Sequence, residues 1–180
     1  MIGGRDIVLL AFLSTAQDNQ WTIRALASEL KLSPASVQRS IRNLVDAGLL
    51  FDRPERKFLV SFETTRNFFV NAASSIRPYF PPKYGGDGIR GVATAWSEPS
   101  LRDLLVGVEM PVVWPHELGQ QRGMAISPLH ESVAGIALTH PDSGHLLAMV
   151  DAIRYGVGPR VPQLASELIA EGFEIRASIE

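Results

Sequence analysis

Between Pro34 and Ala47 stand Ser36, Gln38, Arg39, Arg42 and Asn43, whose hydroxyls, amides and guanidinium forks suit base edges and phosphates. Ser33 precedes them. Arg53, Arg56 and Lys57 follow in the charged run Asp52–Lys57, which lies between two short apolar stretches. At 3.6 residues per turn, the first group falls on the side away from Val37, Ile41, Leu44 and Val45, which read as core. No acid interrupts it before Asp46. Such a face holds and reads a polyanion; it makes and breaks no bonds.

Local signals say what positions that face. Ser33 as N-cap with Pro34 in the first turn starts a helix, and Gly48 stands where a left-handed C′ residue ends it. Just upstream, Ile23, Leu26, Ala27 and Leu30 form the apolar stripe of a second helix, Ile23–Leu30, capped by Thr22 or its neighbour and joined to the next helix by a tight turn. Gln20–Thr22 suggests a short strand, with Trp21 in the core. Arg5–Gln17 is apolar on nearly every side, as in a helix buried all round. After Gly48 the period changes to extended: Leu49–Phe51 and Phe58–Val60 predict a hairpin whose tip carries the three basic residues.

The run "WTIRALASELKLSPASVQRSIRNLVDAGLLFDRPERKFLV" resembles the winged helix-turn-helix of bacterial transcriptional regulators of the MarR and IclR kind. The resemblance covers about a third of the chain. It implies a homodimer on double-stranded DNA, with Ser33, Ser36, Gln38, Arg39, Arg42 and Asn43 at the major groove and Arg53, Arg56 and Lys57 on the wing.

Beyond residue 62 the signals thin. A helix over 63–77 carries Phe69, Ala72, Ala73 and Ile76 on one stripe and stops at Pro78. "YFPPKYGGDGIRGVATAW" has loop composition; its Gly86, Gly88 and Gly91 spell G-x-G-x-x-G, but without a preceding strand or a following helix they read as turn glycines. Ser97 and Pro99 open a helix with Leu101, Leu104, Leu105 and Val108 apolar. Over 109–143, "PVVW", "GMAIS" and "GIALT" read as short extended candidates. Helices over Ser143–Tyr155 and Pro162–Glu171 follow. His130, His140 and His145 with Asp142 and Asp151 lack metal-ligand spacing, Ser127 and Ser132 lack a nucleophile elbow, and no motif points to a cofactor or an enzyme. Trp96, Trp114 and Arg122 admit two readings, packing or a pocket for an anionic effector. "MPVVWPHELGQQRGMAISPL" with "LLAMVDAIRYGVGPRVPQLASELI" is similar to the C-terminal parts of bacterial helix-turn-helix proteins associated with nucleotidyltransferase-like toxins of abortive-infection systems. That implies a partner protein for this half.

Composition bounds the rest. With 180 residues, 46% of them hydrophobic and none cysteine, the chain is neither disordered nor a disulfide scaffold. Its longest apolar run, Ile7–Leu13, is far too short to span a bilayer. Residues 1–62 hold eight Lys/Arg against six Asp/Glu, and residues 63–180 nine against thirteen, so positive charge gathers at the N-terminal side. The expectation is a mostly α fold with a small β wing (α+β). It divides into a winged helix-turn-helix (1–62), a linker helix and loop (63–84) and a C-terminal helical or α/β domain (85–180) for dimerisation, effector or partner binding. The function expected is a cytoplasmic, sequence-specific repressor with no membrane contact. The second expectation is an antitoxin or defence-system protein.

Overall fold

Seven successive apolar residues, Ile7 to Leu13, have no solvent-facing side to give up. In the computed structural model they lie at the centre of the molecule, each at most 6% exposed. The structure describes residues 2–16, 21–53, 58–72, 75, 87–95, 98–104, 110–155 and 160–177. It is mostly helical with two small sheets, and among the described residues no helix is long and apolar enough to cross a membrane.

Helix α1 (Gly4–Thr15) packs against α3 (Pro34–Asp46) on one side and α7 (Pro141–Tyr155) on another. Each large side chain so buried contributes about 1.5–3 kcal/mol, which makes α1 the main apolar link between the two ends of the chain. Asp6 in its first turn accepts hydrogen bonds from the Gly3 amide (2.9 Å) and the Asn43 side-chain amide (3.1 Å), tying the helix start to α3. At its other end Thr15 and Ser143 share a hydroxyl–hydroxyl bond of 2.5 Å, and Arg176 donates to the Ser14 carbonyl. One apolar core therefore runs without a break from α1 to α8 (Arg160–Ala177).

α2 (Ile23–Glu29) and α3 are joined through Lys31, the one non-glycine residue with positive φ (53°) among those described. Leu32 N–H bonds Ala27 C=O (2.9 Å) and Lys31 N–H bonds Ser28 C=O (3.3 Å), the paired closure that ends a helix on a left-handed residue. Gly48 repeats it after α3: φ is 69°, Leu49 N–H bonds Leu44 C=O and Gly48 N–H bonds Val45 C=O. Strands β1 (Leu50–Asp52) and β2 (Phe58–Val60) then pair antiparallel, Leu50 opposite Val60. α4 (Phe62–Asn67) continues as a π-helical turn through Phe68–Ala72 and lies along α8, where Phe62 and Phe69 flank Phe173. Residues 73–74 and 76–77 of the expected linker helix lie outside the described residues.

The C-terminal region contains a three-stranded closed sheet. β3 (Ile89–Ala93) pairs antiparallel with both β4 (Val112–Pro115) and β5 (Gln121–Ala125), while β4 and β5 run parallel to each other. Closing so few strands demands backbone contact, and glycines supply it. A Cβ on Gly91 would meet the Trp114 carbonyl oxygen at 2.3 Å, one on Gly119 the Gly91 carbonyl carbon at 2.1 Å, and one on Gly123 the Pro111 carbonyl oxygen at 2.0 Å. Gly88 and Gly91 thus serve the sheet, and Gly91 lies inside strand β3, where a dinucleotide loop would require the start of a helix.

Four expectations are corrected. "GIALT" is not extended: it lies in α6 (Val133–Thr139), because Val133, Ala134 and Ile136 bury a helical face. The helix at Pro99 covers only Pro99–Arg102 (α5) among the described residues, with Leu101 fully buried. Val45 is 37% exposed rather than core, since the stripe of α3 is completed by Ser40, which is buried and accepts from Arg5 Nε at 3.0 Å. Trp21 and Thr22 form no strand.

Candidate nucleic-acid interface

Ser33 caps α3 through its hydroxyl, which accepts from Ser36 N–H at 3.1 Å and donates to Ser36 Oγ at 2.9 Å. This fixes the first turn and uses the Ser33 proton, while the half-buried Ser36 hydroxyl keeps its own proton to donate. Gln38, Arg39 and Arg42 stand exposed one turn further on. Neither guanidinium is ion-paired to a carboxylate among the described residues, although Asp46 lies one turn beyond Arg42. Asn43 belongs to a different surface: half-buried, it donates to Asp6 and holds α3 on α1. Helical spacing puts it on the outward side, but Asp6 comes from another element. Of the five residues expected on this face, the structure leaves Gln38, Arg39 and Arg42 free.

Sequence reasoning missed Arg24. It is exposed on α2 and lines, with Gln38 and Arg42, an open cavity of about 880 Å³ between the start of α2, α3 and the hairpin. Its signal was its place just off the Ile23–Leu26–Leu30 stripe. Ile23, Ile41, Val45 and Phe58 make the cavity apolar where it meets the core; Arg24 and Arg42 make it cationic on α2 and α3, and Asp52 adds one carboxylate from the hairpin. Trp21 lines it too, stacked edge-on to Phe12 at 5.0 Å, and its buried indole N–H finds no acceptor among the described residues. Arg53 is exposed at the end of β1. Arg56 and Lys57 lie outside the described residues.

The second set of candidates is dispersed. Trp96 lies outside the described residues. Trp114 is fully buried, and its indole N–H donates to Asp151 at 2.6 Å, so packing is the reading seen and no surface remains for a ligand. Asp151 also pairs with Arg154. Burial pushes the Asp151 carboxyl up to about 6, an effect that Arg154 and the Trp114 bond offset only in part. Arg122 stands exposed on β5, donating to the Gly88 carbonyl at 3.1 Å. The histidines are scattered as well. His130 accepts from Ser132 N–H, and desolvation holds its pKa below the usual value; His140 bonds Glu29 at 2.6 Å; His145 lies 3.9 Å from Glu98. No metal-holding group of His, Asp and Glu gathers among the described residues.

The arrangement can donate hydrogen bonds and positive charge to an extended anion across α2, α3 and the start of the hairpin. Compared with models of protein families, with curated proteins and with solved structures, the chain matches none.

Proposed function

We propose that residues 1–62 form a winged helix-turn-helix that binds double-stranded DNA, and that the protein is a sequence-specific transcriptional regulator acting as a homodimer. The observation that carries this is the free face of α3: Gln38, Arg39 and Arg42 are exposed on a helix capped and closed at both ends, with no acid of the described residues neutralising either arginine. An arginine on guanine, or a glutamine on adenine, makes a bidentate contact that discriminates one base pair from another. Arg24 and Arg53 flank that face and supply phosphate contacts. Two such helices on a two-fold axis would meet successive major grooves about 34 Å apart, a spacing set by the DNA.

The test is substitution on the face itself. R39A and R42A are expected to cost about 1–3 kcal/mol on the preferred duplex and far less on a scrambled one, while R24A weakens both alike and lowers the salt slope by about one. Equal affinity of all three variants and wild type for both duplexes would remove the assignment.

A further inference from the structure

On the outer side of the three-stranded sheet, the antiparallel register sets Arg90 of β3 directly opposite Arg122 of β5. Directly opposed residues project from the same face, and like charges so placed destabilise a sheet. Both arginines are exposed, and among the described residues neither is ion-paired to a carboxylate; Glu117 shares their cavity without pairing to either. The surrounding half of the chain has more acids than bases, so compensation was at hand and is not used. Arg122 is also pre-positioned, its guanidinium anchored on the Gly88 carbonyl at 3.1 Å. The two line an open concavity of about 520 Å³ with the tight β4–β5 turn, where Gln120 and Gln121 add amide donors.

We propose that Arg90 and Arg122 form a binding site for a phosphate group. Two guanidinium forks on one face present paired N–H donors to a tetrahedral dianion, and the bound charge turns their mutual repulsion into a clamp. The phosphate comes either from a nucleic-acid backbone or from a free phosphorylated molecule. The site lies wholly on β3, β5 and the turn before β5, and does not depend on α3.

The full chain is titrated with inorganic pyrophosphate while the arginine Nε–Hε NMR signals are followed, and with a random-sequence duplex by fluorescence anisotropy. Saturable pyrophosphate shifts of two arginine signals in wild type, with the Arg122 signal no longer shifting in R90Q and the Arg90 signal no longer shifting in R122Q, support the site. If R90Q/R122Q also lowers duplex affinity severalfold and the salt slope by about two, the phosphate is that of a nucleic-acid backbone. Unchanged duplex binding beside a pyrophosphate response assigns it to a free phosphorylated molecule. R90Q, which keeps the Arg122–Gly88 bond, is expected to melt no lower than wild type; the wild-type titration stands whatever the variants do. No pyrophosphate response together with unchanged duplex affinity overturns the proposal.

Discussion

Residues 22–60 close their helices with neighbours in sequence: Thr22 and Ser33 cap the starts, and Lys31 and Gly48 turn the ends. Residues 88–126 close by contacts between strands, with carbonyls of Trp114, Pro111 and Gly91 lying where a side chain would otherwise be. In the first region each closure rests on one side chain or one left-handed residue. The second leaves little slack in its backbone, and it meets the helices through the apolar core, where Ala95, Leu101, Trp114 and Ile126 are buried, and through the buried bond from Trp114 to Asp151. Both leave arginines unpaired on their outer faces, which is where each region can meet something else.

The largest effect expected is in the sheet. G123A puts a Cβ 2.0 Å from a backbone oxygen that no rotamer can move, and is expected to cost about 3 kcal/mol or more in urea unfolding. G135A on α6, whose Cβ meets nothing within 4 Å, is expected to gain about 0.5–1 kcal/mol. Equal small effects would mean that the sheet yields as easily as the helices.

Next comes Asp151, whose folded pKa of about 6 lies above its ordinary 3.8. Between those values the folded state holds a proton that the unfolded chain has lost, so stability from this group falls as pH rises through the window and stays low above it. The full swing is about 3 kcal/mol. Chemical denaturation of wild type and D151N from about pH 4 to 7 should show the wild-type protein losing stability relative to the variant as pH rises. A parallel pair of curves would place Asp151 in a solvated site.

Smaller effects test the first region. S33A removes the cap of α3 and is expected to cost about 1 kcal/mol. K31G relieves the left-handed lysine and is expected to gain about 0.5–1 kcal/mol in the same urea assay, whereas the same residue type is already present at Gly48. A loss on K31G would show that the lysine side chain contributes more than its backbone strain costs.

The same contrast decides what could be read from the sequence. α3 was legible because Ser33, Pro34 and Gly48 are local signals, and α1 because a run of apolar residues leaves no polar face. The left-handed turn at Lys31 was not, since nothing in a lysine marks positive φ. Strand order in the sheet was hidden because Gly91, Gly119 and Gly123 act on residues distant in sequence. "GIALT" misled because a short apolar run fits a buried strand or a buried helix equally well. At the candidate interface, periodicity found Gln38, Arg39 and Arg42. It could not foresee that Asn43 would be taken by Asp6, or that Arg24 would stand beside Arg42.

The most direct measurement is an anisotropy titration of the full chain against the DNA upstream of its own gene and against a scrambled duplex, at two salt concentrations. The expected result is a preference of about 10³ or more for the upstream sequence, with affinity falling steeply as salt rises. Equal, weak binding to both duplexes would contradict a sequence-reading role for α3.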